Sequence, residues 1–172
     1  MEKLPPSSPV PVDTRKVPQR RMLRFESIDQ VIAEVGRLAE AERAGRLRRL
    51  GNWTPGQTLG HLAAWVEYAY TGAPLKVPFF IRWFLRLQKR KFLYGPMRPG
   101  AKIPGVEGGT LATDPVPFEE GLEHYRRVLE QLRIQAPMAP NIILGALTHE
   151  EWIALNLRHA ELHLGFLLPE SA

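Results

Sequence analysis

Hydrophobic residues recur every three or four positions along four stretches of the chain, which is the spacing of amphipathic helices. Polar and apolar residues do not alternate over any length that would predict a long strand. Each stretch spans enough turns to bury one apolar stripe against its neighbours. The predicted helices run from about Ser27 to Gly51, from Thr54 to about Tyr70, from about Val116 to Arg133, and from Thr148 to a point before Pro169.

Helix starts are marked by capping residues. A Ser or Thr cap followed by Gln or Glu three residues later satisfies two backbone N–H groups at a helix N-terminus. Three of the four stretches begin in this way, with the pairs Ser27 and Gln30, Thr54 and Gln57, and Thr148 and Glu151. The sequence therefore predicts where these helices begin more closely than where they end.

The remaining segments complete a predicted all-α domain. Residues 1–21 are rich in Pro and basic residues and read as a tail or an arm, and residues 22–168 read as one helical domain. Residues 79–93 form a further predicted helical segment, and residues 97–115 hold so many Gly and Pro residues that they predict a long loop. The simplest architecture is a four-helix bundle with an extra basic amphipathic helix and long loops, and a brief strand is predicted at 141–144.

Composition narrows the chemistry. The chain has 172 residues, 44% of them hydrophobic, and contains no cysteine. Disulfides, cysteine-ligated zinc, iron–sulfur clusters and thiol nucleophiles are therefore excluded. No apolar run approaches the roughly 20 residues of a membrane span. Arg20 and Arg21 form a twin arginine, but no hydrophobic export region follows, so we expect a cytoplasmic protein.

Positive charge is concentrated in one segment. Residues 76–102 contain eight basic residues and no acidic one, whereas the whole chain carries +5, so the other residues sum to −3. This distribution argues against a general nucleic-acid binder and for one local basic feature. The basic patch of the extra helix consists of Arg82, Arg86, Lys89, Arg90 and Lys91.

Two histidines in the last helix are the strongest candidate for chemistry. His159 and His163 are four residues apart, so a helix places their imidazoles on one face, one turn apart. Both follow the apolar stripe and point toward the core. His61, in the apolar second helix, is the candidate third ligand, and three neutral imidazoles can hold a divalent metal with a position left open. The alternative is that each is an ordinary core histidine satisfied by a hydrogen bond.

Four further residues lie within one or two turns of these histidines. Trp65 and Tyr68 share the face of His61 and can wall a site or orient a bound group. Gln57 and Asn156 can accept the second imidazole proton, as partners of metal-bound histidines commonly do. His124 and His149 have polar or capping surroundings and are expected at the surface. No acidic residue stands out as a general base, and Glu161 points to another face.

The three histidines lie in two sequence motifs, GQTLGHLAAW at 56–65 in the second helix and LRHAELH at 157–163 in the last helix. Segments that flank these motifs are LRFES at 23–27, LGNWT at 50–54 and KFLYGPM at 91–97. The histidine motifs resemble those of the DinB-like metalloprotein superfamily, and the flanking segments resemble an uncharacterised bacterial branch of it. The resemblance covers about residues 22–167.

This resemblance implies a four-helix bundle of the up-down-down-up type with a three-histidine divalent metal site. The family's ligand positions match His61, His159 and His163, and the metal would be nickel, zinc or iron. Relatives include transferases of small thiols, a thiol-dependent isomerase and hydrolases. The implied partner is a small molecule, either a thiol or an anionic compound.

The basic segment leaves other functions open. It can be a solvated helix over one end of the bundle, a gate for an anionic substrate, or a contact with an acidic membrane surface. A non-catalytic binding module acting through residues 76–102 is thus the alternative to an enzyme. Exposed aromatic residues at 79–84 could also form a homodimer contact, whereas binding of single-stranded nucleic acid is disfavoured because no strand platform is predicted.

Overall fold

The computed structural model describes residues 11–103 and 106–170, and this part of the chain is mainly helical. It contains six α-helices and one antiparallel pair of short strands. Two single 3₁₀ turns lie at Thr14–Lys16 and Glu107–Gly109. In chain order the elements are α1 (Ile28–Arg43), β1 (Leu47–Arg49), α2 (Pro55–Thr71), α3 (Phe79–Leu87), α4 (Lys89–Tyr94), α5 (Phe118–Ile134), α6 (His149–Leu164) and β2 (Leu167–Pro169).

The predicted caps are present at the starts of the helices. Thr54 and Thr148 each form a complete capping box, with Gln57 and Glu151 respectively. The Ser27 hydroxyl accepts a hydrogen bond from the Gln30 backbone N–H. The Gln30 side chain, however, accepts from the backbone N–H one residue before the cap rather than from Ser27 itself. The first cap is therefore confirmed, although its reciprocal bond is displaced by one residue.

The four long helices, α1, α2, α5 and α6, enclose one hydrophobic core. Their facing positions are almost fully buried, including Leu38, Leu62, Leu129 and Leu164. α2 and α5 pack most closely, because glycines lie where they meet. A Cβ atom on Gly56 would lie 2.1 Å from the Val116 carbonyl oxygen, which is far inside van der Waals contact. The tight pairing of α2 with α5 thus requires a residue without a side chain at position 56.

A two-stranded sheet that sequence periodicity does not predict packs against the core through Leu47 and Leu167. β1 pairs with β2 in antiparallel register, with Arg48 opposite Leu168. The last helix therefore ends at Leu164, and the chain turns into β2 before Pro169. Strands of three residues are too short to show a period of two. The predicted strand at 141–144 is instead a single bridge between Asn141 and Gly145.

Residues 11–21, within the predicted N-terminal arm, lie on the helical domain. The Arg21 backbone N–H donates to the Gly165 carbonyl at 2.9 Å, and its guanidinium pairs with Glu34 at 2.6 Å. The Arg20 guanidinium donates to the carbonyl oxygens of Glu161 and Leu162 at the end of α6. A cation at a helix C-terminus is favourable because of the helix dipole. Residues 1–10 of the predicted tail lie outside the described residues.

The extra basic segment forms two helices rather than one. Gln88 separates α3 from α4, and its φ of −98° and ψ of 12° depart from helical values. The residues on one side of α3 are exposed, whereas Leu93 of α4 is buried. Among the helices in the described part of the chain, none combines the length and the apolar character needed to span a bilayer.

Candidate metal centre

α2 and α6 bring three imidazole rings to one point inside the molecule. His61 projects from α2, and His159 and His163 project from successive turns of α6. One ring nitrogen from each lies within 4.8 Å of the others. The Nε2 atoms of His61 and His159 are 3.2 Å apart. The ring centroid of His163 lies 4.6 Å from the ring centroid of each of the other two histidines.

The loop after α4 sets the orientation of His61. The His61 Nδ1 atom lies 2.9 Å from the Leu111 carbonyl oxygen, which can only accept a hydrogen bond, so Nδ1 carries the proton. The lone pair of Nε2 then faces His159, whose Nε2 atom lies 3.2 Å away. The next residue, Ala112, has a φ of +56°, a left-handed conformation that side chains disfavour. Strained backbone of this kind tends to occur at functional sites.

Aromatic side chains surround the three imidazoles. Trp53 stacks on His163 with its ring centroid 5.2 Å away and the planes 12° apart. Its centroid also lies 4.7 Å from that of His61. Trp65 meets His159 edge-on at 5.8 Å and contacts Tyr68 at 5.7 Å. These rings pack against the imidazoles and shield part of the cluster from bulk water.

Burial keeps the three imidazoles neutral at physiological pH. It lowers the pKa of His61 to about 4, despite the opposing hydrogen bond to Leu111. Burial, and then repulsion by His61, holds the pKa of His159 well below its ordinary value. The pKa of His163 is lowered by burial and by repulsion from both other histidines, with a further contribution from the Arg20 guanidinium. Neutral imidazoles are the form that binds a metal ion.

The histidines line a large cavity of about 1170 Å³. Its walls come from α2, α6, the inner side of α3, the segment before α3 and the loop after α4. Much of the lining is aliphatic or aromatic, as in sites for small organic molecules. Basic side chains of Lys76, Arg98 and Lys102 also line it, and the one acidic residue among the described lining residues, Asp13, is paired with Arg15.

Comparison with known proteins gives one family. The family model described as "Protein of unknown function (DUF1569)" matches residues 17–170, which is nearly the whole chain. The chain belongs to the DUF1569 family. Neither a curated protein nor a solved structure matches it significantly. All three histidines and the elements that carry them lie inside the DUF1569 match.

Of the four residues predicted to flank the histidines in this DUF1569 protein, three line the cavity: Trp65, Tyr68 and Asn156. The fourth, Gln57, completes the α2 cap, and its amide donates to the Thr113 carbonyl at 3.0 Å. The Asn156 amide donates to the Trp152 carbonyl of its own helix. His61 is thus oriented by the Leu111 backbone rather than by Gln57.

The other candidate acids and histidines lie away from the cluster. Glu161 is buried and accepts from the Phe25 backbone N–H at 2.6 Å and from the Arg158 guanidinium at 2.6 Å. Glu67 pairs with His124 at 2.7 Å. His149 approaches the Leu132 carbonyl at 2.6 Å, which ties the start of α6 to α5.

The predicted basic patch lies outside the cavity lining. Arg82, Arg86, Lys89, Arg90 and Lys91 do not line it, and Lys89 pairs with Glu151 at 2.7 Å. The cavity's basic residues come instead from both ends of the 76–102 segment. Sequence reasoning also missed Trp53 and Leu111, because both lie on loops where hydrophobic periodicity carries no information.

Proposed function

We propose that this DUF1569 protein is a metal-dependent enzyme of the DinB-like type that acts on a small molecule. A divalent metal would be held by His61, His159 and His163. The observation that carries the proposal is the convergence of three neutral imidazoles on the wall of a cavity of about 1170 Å³. A structural histidine needs no such cavity, whereas a catalytic metal needs room for its substrate.

The spacing of the nitrogens fits a shared metal. Two nitrogens bound at about 2.0–2.1 Å lie about 3.3 Å apart in tetrahedral geometry and about 2.9 Å apart in octahedral geometry. The Nε2 atoms of His61 and His159 are 3.2 Å apart, between these limits. Because Nδ1 of His61 donates to Leu111, its Nε2 lone pair is free for a ligand bond. Nickel, zinc and iron all suit imidazole donors.

Three protein ligands leave coordination positions for water or substrate. A divalent metal bound there would supply either an activated water for hydrolysis or a site for a thiolate in transfer chemistry. The residues around it hold the substrate: Trp53, Trp65 and Tyr68 supply aromatic surface. Lys76, Arg98 and Lys102 favour an anionic compound. This arrangement supports two reactions, the transfer of a small thiol and hydrolysis.

Helix packing supports the DinB-like part of the proposal. α2 packs against α5 and α6, and α1 packs against α5 and α6, so the four long helices share one core. We propose that they form a four-helix bundle of the up-down-down-up type. α3 and α4 would then be an insertion between the second and third bundle helices, and that insertion builds one wall of the cavity.

Metal content tests the proposal. Inductively coupled plasma mass spectrometry of protein purified without an affinity tag is expected to find about one equivalent of a divalent metal. Adding Ni²⁺ or Zn²⁺ to protein that a chelator has stripped of metal should raise its Tm. His163→Gln and His159→Ala should each lose the metal and its thermal effect. Both variants change half-buried side chains, so circular dichroism can check that the helices remain.

A histidine outside the cluster provides the matched control. His124→Ala removes an imidazole that pairs with Glu67 on the protein's surface, and it should keep the metal. Less than about a tenth of an equivalent in wild-type protein, with no rise in Tm on adding metal, would contradict the proposal. Equal metal loss in His124→Ala and His163→Gln would show non-specific binding.

A further inference from the structure

α3 turns a large apolar surface away from the protein. Its outward face, here called the α3 apolar face, comprises Phe79, Phe80, Trp83, Phe84 and Leu87, each between 56% and 83% exposed. Four of these five side chains are aromatic. Single exposed hydrophobic residues need no explanation, but a contiguous group of this kind marks an interaction surface.

Helical geometry gathers these side chains on one side. Phe79, Trp83 and Leu87 follow one another at intervals of four, and Phe80 and Phe84 form the adjacent row. The opposite side of α3 carries Ile81 and Leu85, which line the cavity. α3 makes few contacts with the other helices. Packing within the protein therefore does not explain why the outward face of α3 is apolar.

Positive charge is concentrated in the same segment of the chain as this face. Residues 76–102 contain eight basic residues and no acidic one. Arg86, Arg90 and Lys91 are exposed, and none forms a salt bridge within residues 11–103 and 106–170. An apolar helix face flanked by exposed cations has the composition of helices that lie in the interface of an anionic bilayer.

We propose that the α3 apolar face docks the protein onto an anionic membrane surface. Phe and Trp side chains would enter the boundary between headgroups and acyl chains, and the exposed Lys and Arg side chains would contact lipid phosphates. The helix would lie in the plane of the membrane, since no described helix can span it.

Charge distinguishes this occupant from a second copy of the chain. In a twofold-symmetric dimer the same patch meets itself, so the basic residues around α3 would face their own counterparts. An anionic bilayer offers the opposite sign over the whole patch. Docking would place α3, one wall of the histidine cavity, between the membrane and that cavity, with Ile81 and Leu85 on the inner side. This inference does not depend on a bound metal.

Vesicle flotation tests the proposal on the full chain. Wild-type protein should float with vesicles of phosphatidylcholine mixed with phosphatidylserine at low salt, and not with phosphatidylcholine alone. Binding should weaken as salt rises, because screening shortens the reach of the surface charge. Trp83→Asp/Phe84→Asp should lower the partition coefficient by about tenfold or more, since two interfacial aromatic side chains are lost.

Matched variants control for charge and for exposed apolar surface. Ile134→Asp/Met138→Asp changes two exposed apolar residues elsewhere and should bind as wild type does. Arg90→Glu/Lys91→Glu should lose binding, whereas Arg126→Glu/Arg127→Glu makes the same net-charge change on α5 and should keep most of it.

Three results would overturn the proposal. The first is no flotation of wild-type protein at low salt. The second is equal flotation of Trp83→Asp/Phe84→Asp and wild type. The third is a concentration-dependent dimer, seen by sizing without lipid and abolished by Trp83→Asp/Phe84→Asp, together with no vesicle binding. That last result would assign the α3 apolar face to self-association.

Discussion

At the scale of single residues, the helix face on which a side chain lies separates the candidate metal ligands from structural groups. Glu161 lies between His159 and His163 in the sequence, but it faces the N-terminal segment. There it accepts from the Phe25 backbone and pairs with Arg158, and both side chains of that pair are buried. Burial also lowers the pKa of Arg158, so this guanidinium needs its carboxylate partner.

Glu161 is therefore predicted to stabilise the fold without taking part in metal binding. Glu161→Ala should lower the free energy of unfolding by about 3 kcal/mol or more, because a buried guanidinium loses its partner. Glu161→Gln keeps an acceptor for Phe25 and should cost less. Chemical denaturation measures both effects, and plasma mass spectrometry should find the metal content of Glu161→Gln unchanged.

The opposite pattern would reassign this carboxylate. If Glu161→Gln kept the wild-type Tm but lost the metal, Glu161 would belong to the metal site. A compensating double variant, Arg158→Met/Glu161→Leu, should recover part of the lost stability, since apolar replacement of a buried ion pair is often neutral.

The three histidines could be predicted from the sequence, but their surroundings could not. A spacing of four on an apolar helix face places His159 and His163 together from local geometry alone. The Leu111 carbonyl and the Trp53 ring reach the same point from loops. Their positions depend on backbone paths that no periodic pattern records, and Ala112 even adopts a disfavoured φ there.

At the scale of elements, the pairing of α2 with α5 positions His61. Gly56 lies in the first turn of α2, where its Cα approaches the chain entering α5. Gly121 of α5 makes the reciprocal approach, since a Cβ there would lie 2.8 Å from the Gly56 carbonyl oxygen. His61 follows Gly56 by less than two turns, so a shift at this contact would move the imidazole.

Gly56→Ala is therefore predicted to destabilise the protein by about 1–3 kcal/mol, because the added methyl group overlaps backbone atoms that cannot move away. Thermal unfolding followed by circular dichroism measures the loss. Gly36→Ala in α1 is the matched control, since its Cβ would meet only the flexible end of the Arg126 side chain, at 3.3 Å.

The control should be neutral or stabilising by up to about 1 kcal/mol, because alanine favours a helix interior over glycine. A Gly56→Ala protein as stable as wild type would show that α2 and α5 do not pack as closely as the structure indicates.

Prediction of elements succeeded where local signals are strong. Capping boxes at Thr54 and Thr148 mark the starts of α2 and α6, and both are present. The break between α3 and α4 at Gln88 has no Gly or Pro to mark it, so the sequence predicts one helical segment at residues 79–93. The β1–β2 pair forms between segments far apart in the chain, and local periodicity cannot predict such pairing.

At the scale of the whole molecule, the buried core and the basic segment come from different parts of the chain. The four long helices bury one core, and the basic segment at 76–102 supplies both a wall of the cavity and the exposed α3 apolar face. Sequence composition identifies this segment as basic and aromatic. It could not show which side of α3 faces out, because both sides of that helix carry apolar residues and only the tertiary structure distinguishes them.

The central claim is that His61, His159 and His163 share one metal ion. An anomalous diffraction scan across the iron, nickel and zinc edges, on a crystal of untagged protein grown with added metal, tests it most directly. The account predicts one anomalous peak about 2.0–2.2 Å from a nitrogen of each of the three imidazoles. No peak at the cluster, or a peak bound only by residues outside it, would contradict the account.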